Sequence, residues 1–217
     1  MQLNEFFPMW DKLSQNERET LVNSAKKITY KKGDIIYSGG GECTGLVLVN
    51  SGQLRAFAMS EDGREITVYR LFERDICIFT ASCMLSSIRF EMAIKAEKDS
   101  EVYVIPTETY RSLVNKSTAL SNFNTELVAS NLSDVMWLVD QIMWKSFDKR
   151  LAAFLLEESA LNNTTTLKIT HEEIANHLGT AREVVTRMLK YFALEGMVAL
   201  SRGSIEITDL KKLNEVN

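Results

Sequence analysis

One stretch, Leu167 to Leu194 (LKITHEEIANHLGTAREVVTRMLKYFAL), constrains this chain more than any other. Thr170-His171-Glu172-Glu173 and Thr180-Ala181-Arg182-Glu183 each set a threonine three residues before a glutamate, the reciprocal cap that starts a helix. Ile174, Ala175 and Leu178 give the first helix an apolar face, and Val184, Val185, Met188, Leu189 and Phe192 do the same for the second. Gly179 lies between them, where a sharp reversal needs a left-handed residue, and the small Ala175 lets the helices approach closely. The pattern predicts two short helices around one tight turn. The second carries Arg182, Glu183, Thr186, Arg187 and Lys190 outward. These residue types suit the DNA major groove. Arginine donates to guanine O6 and N7, glutamate accepts from cytosine N4, and threonine reaches a base edge or a phosphate. Lys190, a turn further on, is placed to meet a phosphate.

A helical hairpin with a solvated charged face would share much of this pattern, and the following residues separate the two readings. Gly196-Met-Val-Ala-Leu, Ser201-Arg202-Gly203 and Ser204-Ile-Glu-Ile-Thr predict a two-stranded hairpin directly after the second helix. That hairpin is a wing, with Arg202 or Ser204 near a sugar-phosphate chain. Charge does not point the same way, because the whole chain carries −4. Residues 145–217 hold ten Lys/Arg and ten Asp/Glu, so the acidity lies upstream and non-specific affinity for DNA should be modest and salt-sensitive.

Upstream, the period changes. Residues 3–26 contain a predicted helix with Ser14 and Glu17 at its cap, Leu13, Leu21, Val22 and Ala25 on its apolar side, and Phe6, Phe7 and Trp10 as packing residues. From Ile28 to Ile105, short runs such as GLVLV, LRAFAM and EITVYRL alternate with turn signals at Lys32-Gly33-Asp34, Gly39-Gly40-Gly41-Glu42, Asn50-Ser51-Gly52 and Glu61-Asp62-Gly63-Arg64. This is the rhythm of an antiparallel sandwich or small barrel, with Glu91–Ala96 and Ser100–Ile105 expected to pair. The triple glycine runs into a strand rather than a helix, so it reads as a connection and not a phosphate loop.

Pro106 closes the strands, and Thr107 is the expected cap of a short helix carrying Tyr110, Leu113 and Val114. A long helix follows over 117–143. Its Val128, Leu132, Val135, Val139 and Ile142 keep the four-three rhythm of a seam between helices. Leu120, Phe123, Leu127 and Leu138 widen that stripe, so one side can meet a second copy and the other its own sheet domain. A two-fold pair is the expected form, because it doubles the base contacts over two half-sites. Residues 147–158 predict another amphipathic helix, Asn162–Thr166 a polar connection, and the last residues one helical turn.

GTAREVVTRMLK at 179–190, followed by LEGMVAL and GSIEITD, resembles the catabolite-activator/fumarate-nitrate regulator (Crp/Fnr) family of bacterial transcription factors, and the order of parts extends the likeness over nearly the whole chain. The resemblance implies an α+β fold. An N-terminal cyclic-nucleotide-binding-like antiparallel jelly roll would occupy residues 1–116, a dimerisation helix 117–144, and a winged helix-turn-helix 145–217. It implies base reading by Arg182, Glu183 and Arg187. The family commonly has serine where Ala181 stands, which leaves Thr180 to supply the capping oxygen.

Cyclic-nucleotide-responsive members carry a Gly-Glu pair and later Arg-Ser/Thr-Ala. The corresponding DICIFTASCMLSSIRFEMAIKA has neither, and Arg89 is followed by Phe90 and Glu91. Burying a cyclic phosphate without a cationic partner is costly, so no cyclic-AMP response is expected. With Cys43, Cys77 and Cys83 as the only cysteines, one subunit cannot assemble an all-cysteine four-ligand cluster. The three are candidate redox residues or small buried hydrophobes. Both histidines, His171 and His177, fall in the helix-turn-helix, where phosphate or solvent is their expected contact. The sheet region offers no catalytic or metal-ligand spacing, and Glu42, Glu65, Asp75 and Glu91 read as solvated charges or turn partners. No enzyme activity, metal or cofactor is expected. The expected partners are double-stranded DNA, a second copy, RNA polymerase and an unidentified small effector. No membrane association is expected, since there is neither a leader-like N-terminus nor a long apolar run, and the cytoplasm is the default location. The alternative is constitutive DNA binding, with a sheet domain that only dimerises and contacts polymerase.

Overall fold

The computed structural model describes residues 3–38, 45–77 and 92–216. Two 3-10 turns, Leu3–Glu5 and Trp10–Lys12, precede α1 (Gln15–Ser24), the helix expected within residues 3–26. Its cap is the anticipated one, with Ser14 Oγ accepting from Glu17 N and the Glu17 carboxylate accepting from Ser14 N at 2.6 Å. Phe6, Phe7, Leu13 and Leu21 are buried, while Val22 faces solvent.

The sheet region contains β1 (Lys26–Tyr30), β2 (Ile35–Tyr37), β3 (Leu46–Ser51), β4 (Leu54–Met59), β5 (Glu65–Leu71), β6 (Ile76–Cys77), β7 (Met92–Ala96) and β8 (Ser100–Ile105). They form two four-stranded sheets, ordered β1-β8-β3-β6 and β2-β7-β4-β5. Between the sheets lies a core of Val47, Val49, Val102 and Val104 from one side and Leu54, Ile94 and Ala96 from the other. The outer face of the first sheet is covered as well. Leu46, Leu48, Tyr103 and Ile105 pack there with Phe6, Phe7, Leu21 and Leu120. Two covered faces explain why Leu46-Val47-Leu48-Val49 is a continuous apolar run rather than an alternating one.

One expected pairing is corrected. β7 pairs with β2 and β4, and β8 with β1 and β3, so the two consecutive strands lie in opposite sheets. They contribute apolar residues to the inter-sheet core from its two opposite sides, Ile94 and Ala96 from one sheet and Val102 and Val104 from the other. The Asp62-Gly63 turn does join neighbours, β4 and β5, with Gly63 N donating to Ser60 O at 2.9 Å. Hydrogen bonds from Arg64 and then Ser60 hold the Asp62 carboxyl down at about 2. Asp75 is a turn partner, accepting from Phe72 N at 2.7 Å. Cys77 is a free cysteine, buried in the inter-sheet core. Cys43, Cys83, the triple glycine with Glu42, and the Arg89–Glu91 segment fall outside the described residues.

α2 (Thr107–Lys116) has Pro106 at its N-cap position and no side-chain cap, so Thr107 is its first helical residue and not its cap. α3 (Thr118–Trp144) divides along its length. Leu120 is buried, and Phe123, Leu127 and Val128 pack on the first sheet's outer core. Val128 is half-buried, with part of its side chain against its own domain. Beyond it, Leu132 (62% exposed), Met136, Trp137 (64%), Val139, Ile142, Met143 and Trp144 (76%) face solvent, and Val135 is half-buried.

The chain forms two compact units, residues 1–58 with 68–136 and residues 59–67 with 137–217, and the change falls within α3. In the second unit, α4 (Phe147–Asn162) leads to β9 (Thr166–Leu167), α5 (His171–Leu178), α6 (Arg182–Leu194), β10 (Val198–Ser201), β11 (Ser204–Ile207) and α7 (Leu210–Val216). β9 extends the wing to three strands in the order β10-β11-β9, at the junction of the expected polar connection Asn162–Thr166 and the stretch that begins at Leu167. α7 is seven residues long rather than a single turn, because Leu213 is buried in the core of this unit. Leu151, Leu155, Ile174, Val185, Leu189, Phe192 and Ile205 complete that core.

Candidate nucleic-acid interface

α5 begins as its sequence predicts. Thr170 Oγ1 accepts from Glu173 N at 3.1 Å, and the Glu173 carboxylate accepts from Thr170 N at 2.7 Å. It ends at Gly179 in the left-handed region, φ 65° and ψ 42°. The left-handed φ favours glycine, and a Cβ added there would lie 2.8 Å from Ile66 Cδ1 and 3.1 Å from its Cβ, so that side chain would have to give way. Arg150 of α4 braces this end, donating to Leu178 O at 3.2 Å.

The second predicted capping box does not form. Thr180 N donates to Ala175 O at 3.1 Å, so Thr180 still closes α5. The extended residue that opens α6 is Ala181, which has no side chain able to cap. The Thr-x-x-Glu spacing was present, but the preceding turn takes up Thr180. The anticipated capping contact is absent.

α6 buries Val185, Leu189 and Phe192 and turns its other side outward. Arg182, Glu183, Thr186, Arg187 and Lys190 line one open shelf along it, together with Tyr191 and Leu194. The last two were missed from sequence, although Tyr191 follows Glu183 and Arg187 at the same four-residue step. Leu194 is 87% exposed, so this shelf mixes cations with apolar surface. Thr186 is less free than its position suggests. Its hydroxyl donates to Arg182 O at 2.9 Å and lies 2.8 Å from His171 Nδ1. Arg202 is exposed in the two-residue turn between β10 and β11.

A second cleft, of about 440 Å³, runs beside the shelf between α5, the start of α6 and the wing. Ile169, His171, Glu172, Arg182, Ser201 and Ser204 line it. Burial, then the charge of Arg182, push the His171 imidazole below its ordinary range. His177 is placed differently. Its Nδ1 lies 2.8 Å from Thr67 Oγ1, and its ring is 5.1 Å from that of Phe154, so it is a packing residue of this unit. Among the described residues no group of three or more His, Cys, Asp or Glu is arranged to hold a metal ion, and no helix is long and apolar enough to cross a membrane.

Known proteins share both halves of this arrangement. Residues 149–216 match the family described as Crp-like helix-turn-helix domain, and residues 27–117 match the cyclic nucleotide-binding domain. A crystal structure of a transcriptional regulator assigned to the Crp/Fnr family from Eubacterium rectale is 52% identical, with a TM-score of 0.95 over 97% of this chain and 98% of that one. The cyclic AMP receptor protein of Thermus thermophilus is 26% identical over 96% of each chain. The fumarate and nitrate reduction regulatory protein of Escherichia coli is 27% identical, covering 90% of this chain and 80% of that protein.

Proposed function

Starting from the chain's membership of the Crp/Fnr family of DNA-binding transcription factors, which are regulators and not enzymes, we propose that it is a homodimer reading a two-fold symmetric operator. The observation that carries this reading is the shelf on α6, where Arg182, Glu183, Thr186, Arg187 and Lys190 share one outward side beside a wing. Arg182 and Arg187 reach guanines, Glu183 a cytosine, and Lys190 and Arg202 phosphates. Thr180 stands near the backbone without a capping role, and the engaged hydroxyl of Thr186 positions Arg182 and His171 as much as it touches DNA. The functional division is a sheet domain at 1–116, a helix at 117–144 that pairs through Val128, Leu132, Val135, Val139 and Ile142, and the reader at 145–217.

The sheet domain answers a small effector or redox signal other than cyclic AMP, and RNA polymerase is the further partner. The observation behind that reading is that residues 75–96, DICIFTASCMLSSIRFEMAIKA, carry neither the Gly-Glu nor the Arg-Ser/Thr-Ala pattern. Control of this kind requires unequal effector affinity for two conformations. Replacing Arg182 or Arg187 by alanine weakens binding to a duplex selected from a randomised pool by about 1–3 kcal/mol each and relaxes base preference locally. Unchanged affinity and preference in the double variant would overturn the assignment.

A further inference from the structure

The chain has two histidines, and only one of them faces the DNA-reading side. His177 is held by Thr67 and Phe154, whereas His171 lines the cleft between α5, α6 and the wing. The hydrogen bonds of Thr186 define the state of the His171 ring. The single hydroxyl hydrogen goes to Arg182 O at 2.9 Å, so the oxygen accepts from Nδ1–H of His171 at 2.8 Å. In the neutral ring Nε2 is then a bare acceptor, and it has no hydrogen-bond partner among the described residues.

The charged groups around the ring are few. From α6 it faces Arg182, and from its own helix Glu172 borders the cleft. The Glu173 carboxylate is turned back onto Thr170 N and Oγ1 at 2.7 and 2.8 Å. The wing contributes Ser201, Gly203 and Ser204, all uncharged. In the free protein Arg182 and partial burial favour the neutral ring. A phosphodiester in this cleft reverses the preference. Its oxygens repel a bare Nε2 lone pair but accept a short charge-assisted hydrogen bond from Nε2–H.

We propose that His171 contacts the DNA backbone and takes up a solvent proton at Nε2 when the duplex docks, which ties operator affinity to pH. The inference rests on the DNA-reading function proposed above and adds a protonation step to it. No bond other than N–H forms, and one proton enters from solvent per half-site.

The test uses the full-length protein and the duplex it selects from a randomised pool, at fixed salt. Affinity should tighten about tenfold or more from pH 8 to pH 6, the worth of about one charge-assisted hydrogen bond. H171N should lose this slope, while H177Q keeps it. In wild-type protein, the nuclear magnetic resonance titration midpoint of the His171 Cε1–H should rise when duplex is added and stay in place with inorganic phosphate. A slope that persists in H171N, or a midpoint unmoved by duplex, overturns the proposal. A midpoint raised equally by inorganic phosphate overturns the DNA backbone as the source and makes the cleft a free-anion site. Selection of no duplex at all would overturn the DNA-reading function itself.

Discussion

Thr186 joins the two helices of the reader through one hydroxyl: it donates to the carbonyl of Arg182 at the head of α6 and accepts from His171 of α5. The ring it fixes has a stability consequence of its own. Burial first, and then Arg182, depress the His171 pKa below the ordinary value of 6.5. A group depressed on folding binds fewer protons in the native state than in the unfolded chain at the same pH. Its contribution to stability is complete above the unfolded value and is lost as pH falls through the folded one. The denaturation midpoint of wild-type protein should therefore drop on acidification below about pH 6.5, and drop less in His171→Asn, as equilibrium unfolding at fixed salt can measure. Operator affinity is expected to change in the opposite direction over the same window.

The elements show which sequence signals suffice and which do not. Ser14-x-x-Glu17 and Thr170-x-x-Glu173 both form complete capping boxes, because each threonine or serine is extended and unclaimed by a neighbouring turn. Thr180-x-x-Glu183 has the same spacing and fails, because Gly179 and Thr180 are still closing α5. Spacing encodes capping potential, and the preceding turn decides whether it is realised. Thr170→Ala should then cost about 1 kcal/mol, and Thr180→Ala less than about 0.5 kcal/mol, in chemical denaturation of the full chain. Equal losses would mean that Thr180 caps after all. The outward side of α6 was legible from residue types, since a helix of known period places them. β9 was not legible, because two residues, Thr166 and Leu167, carry no periodicity and become a strand only by pairing with Glu206 and Ile205. Nor was the separation of β7 from β8, since alternation says which face is buried but not which sheet a strand joins. His171 was visible as a residue, but its cleft was not. That cleft depends on the wing folding back beside α5, a long-range contact.

At the scale of the molecule, α3 has two characters. Its first half covers the sheet domain with Leu120, Phe123, Leu127 and Val128, and its second half presents Leu132, Val139, Ile142 and two tryptophans to solvent. A four-three repeat so exposed on one helix is stabilised by a second helix of the same kind. The pair also aligns two readers for half-sites about one helical turn, roughly 34 Å, apart. Leu132→Asp with Ile142→Asp places charge on that seam. It should shift sedimentation from dimer to monomer and weaken binding to the selected duplex by about 100-fold or more through loss of bivalency. The reader's fold should survive, since neither residue is buried in it.

The central claim, one subunit pair on one symmetric site, is tested most directly by selecting duplexes from a randomised pool with purified full-length protein and sedimenting the resulting complex. The account predicts a recovered sequence with two-fold symmetry, its half-sites about one turn apart, and a complex of two chains per duplex. Recovery of no preferred sequence, or of a single half-site bound by one chain, would contradict it.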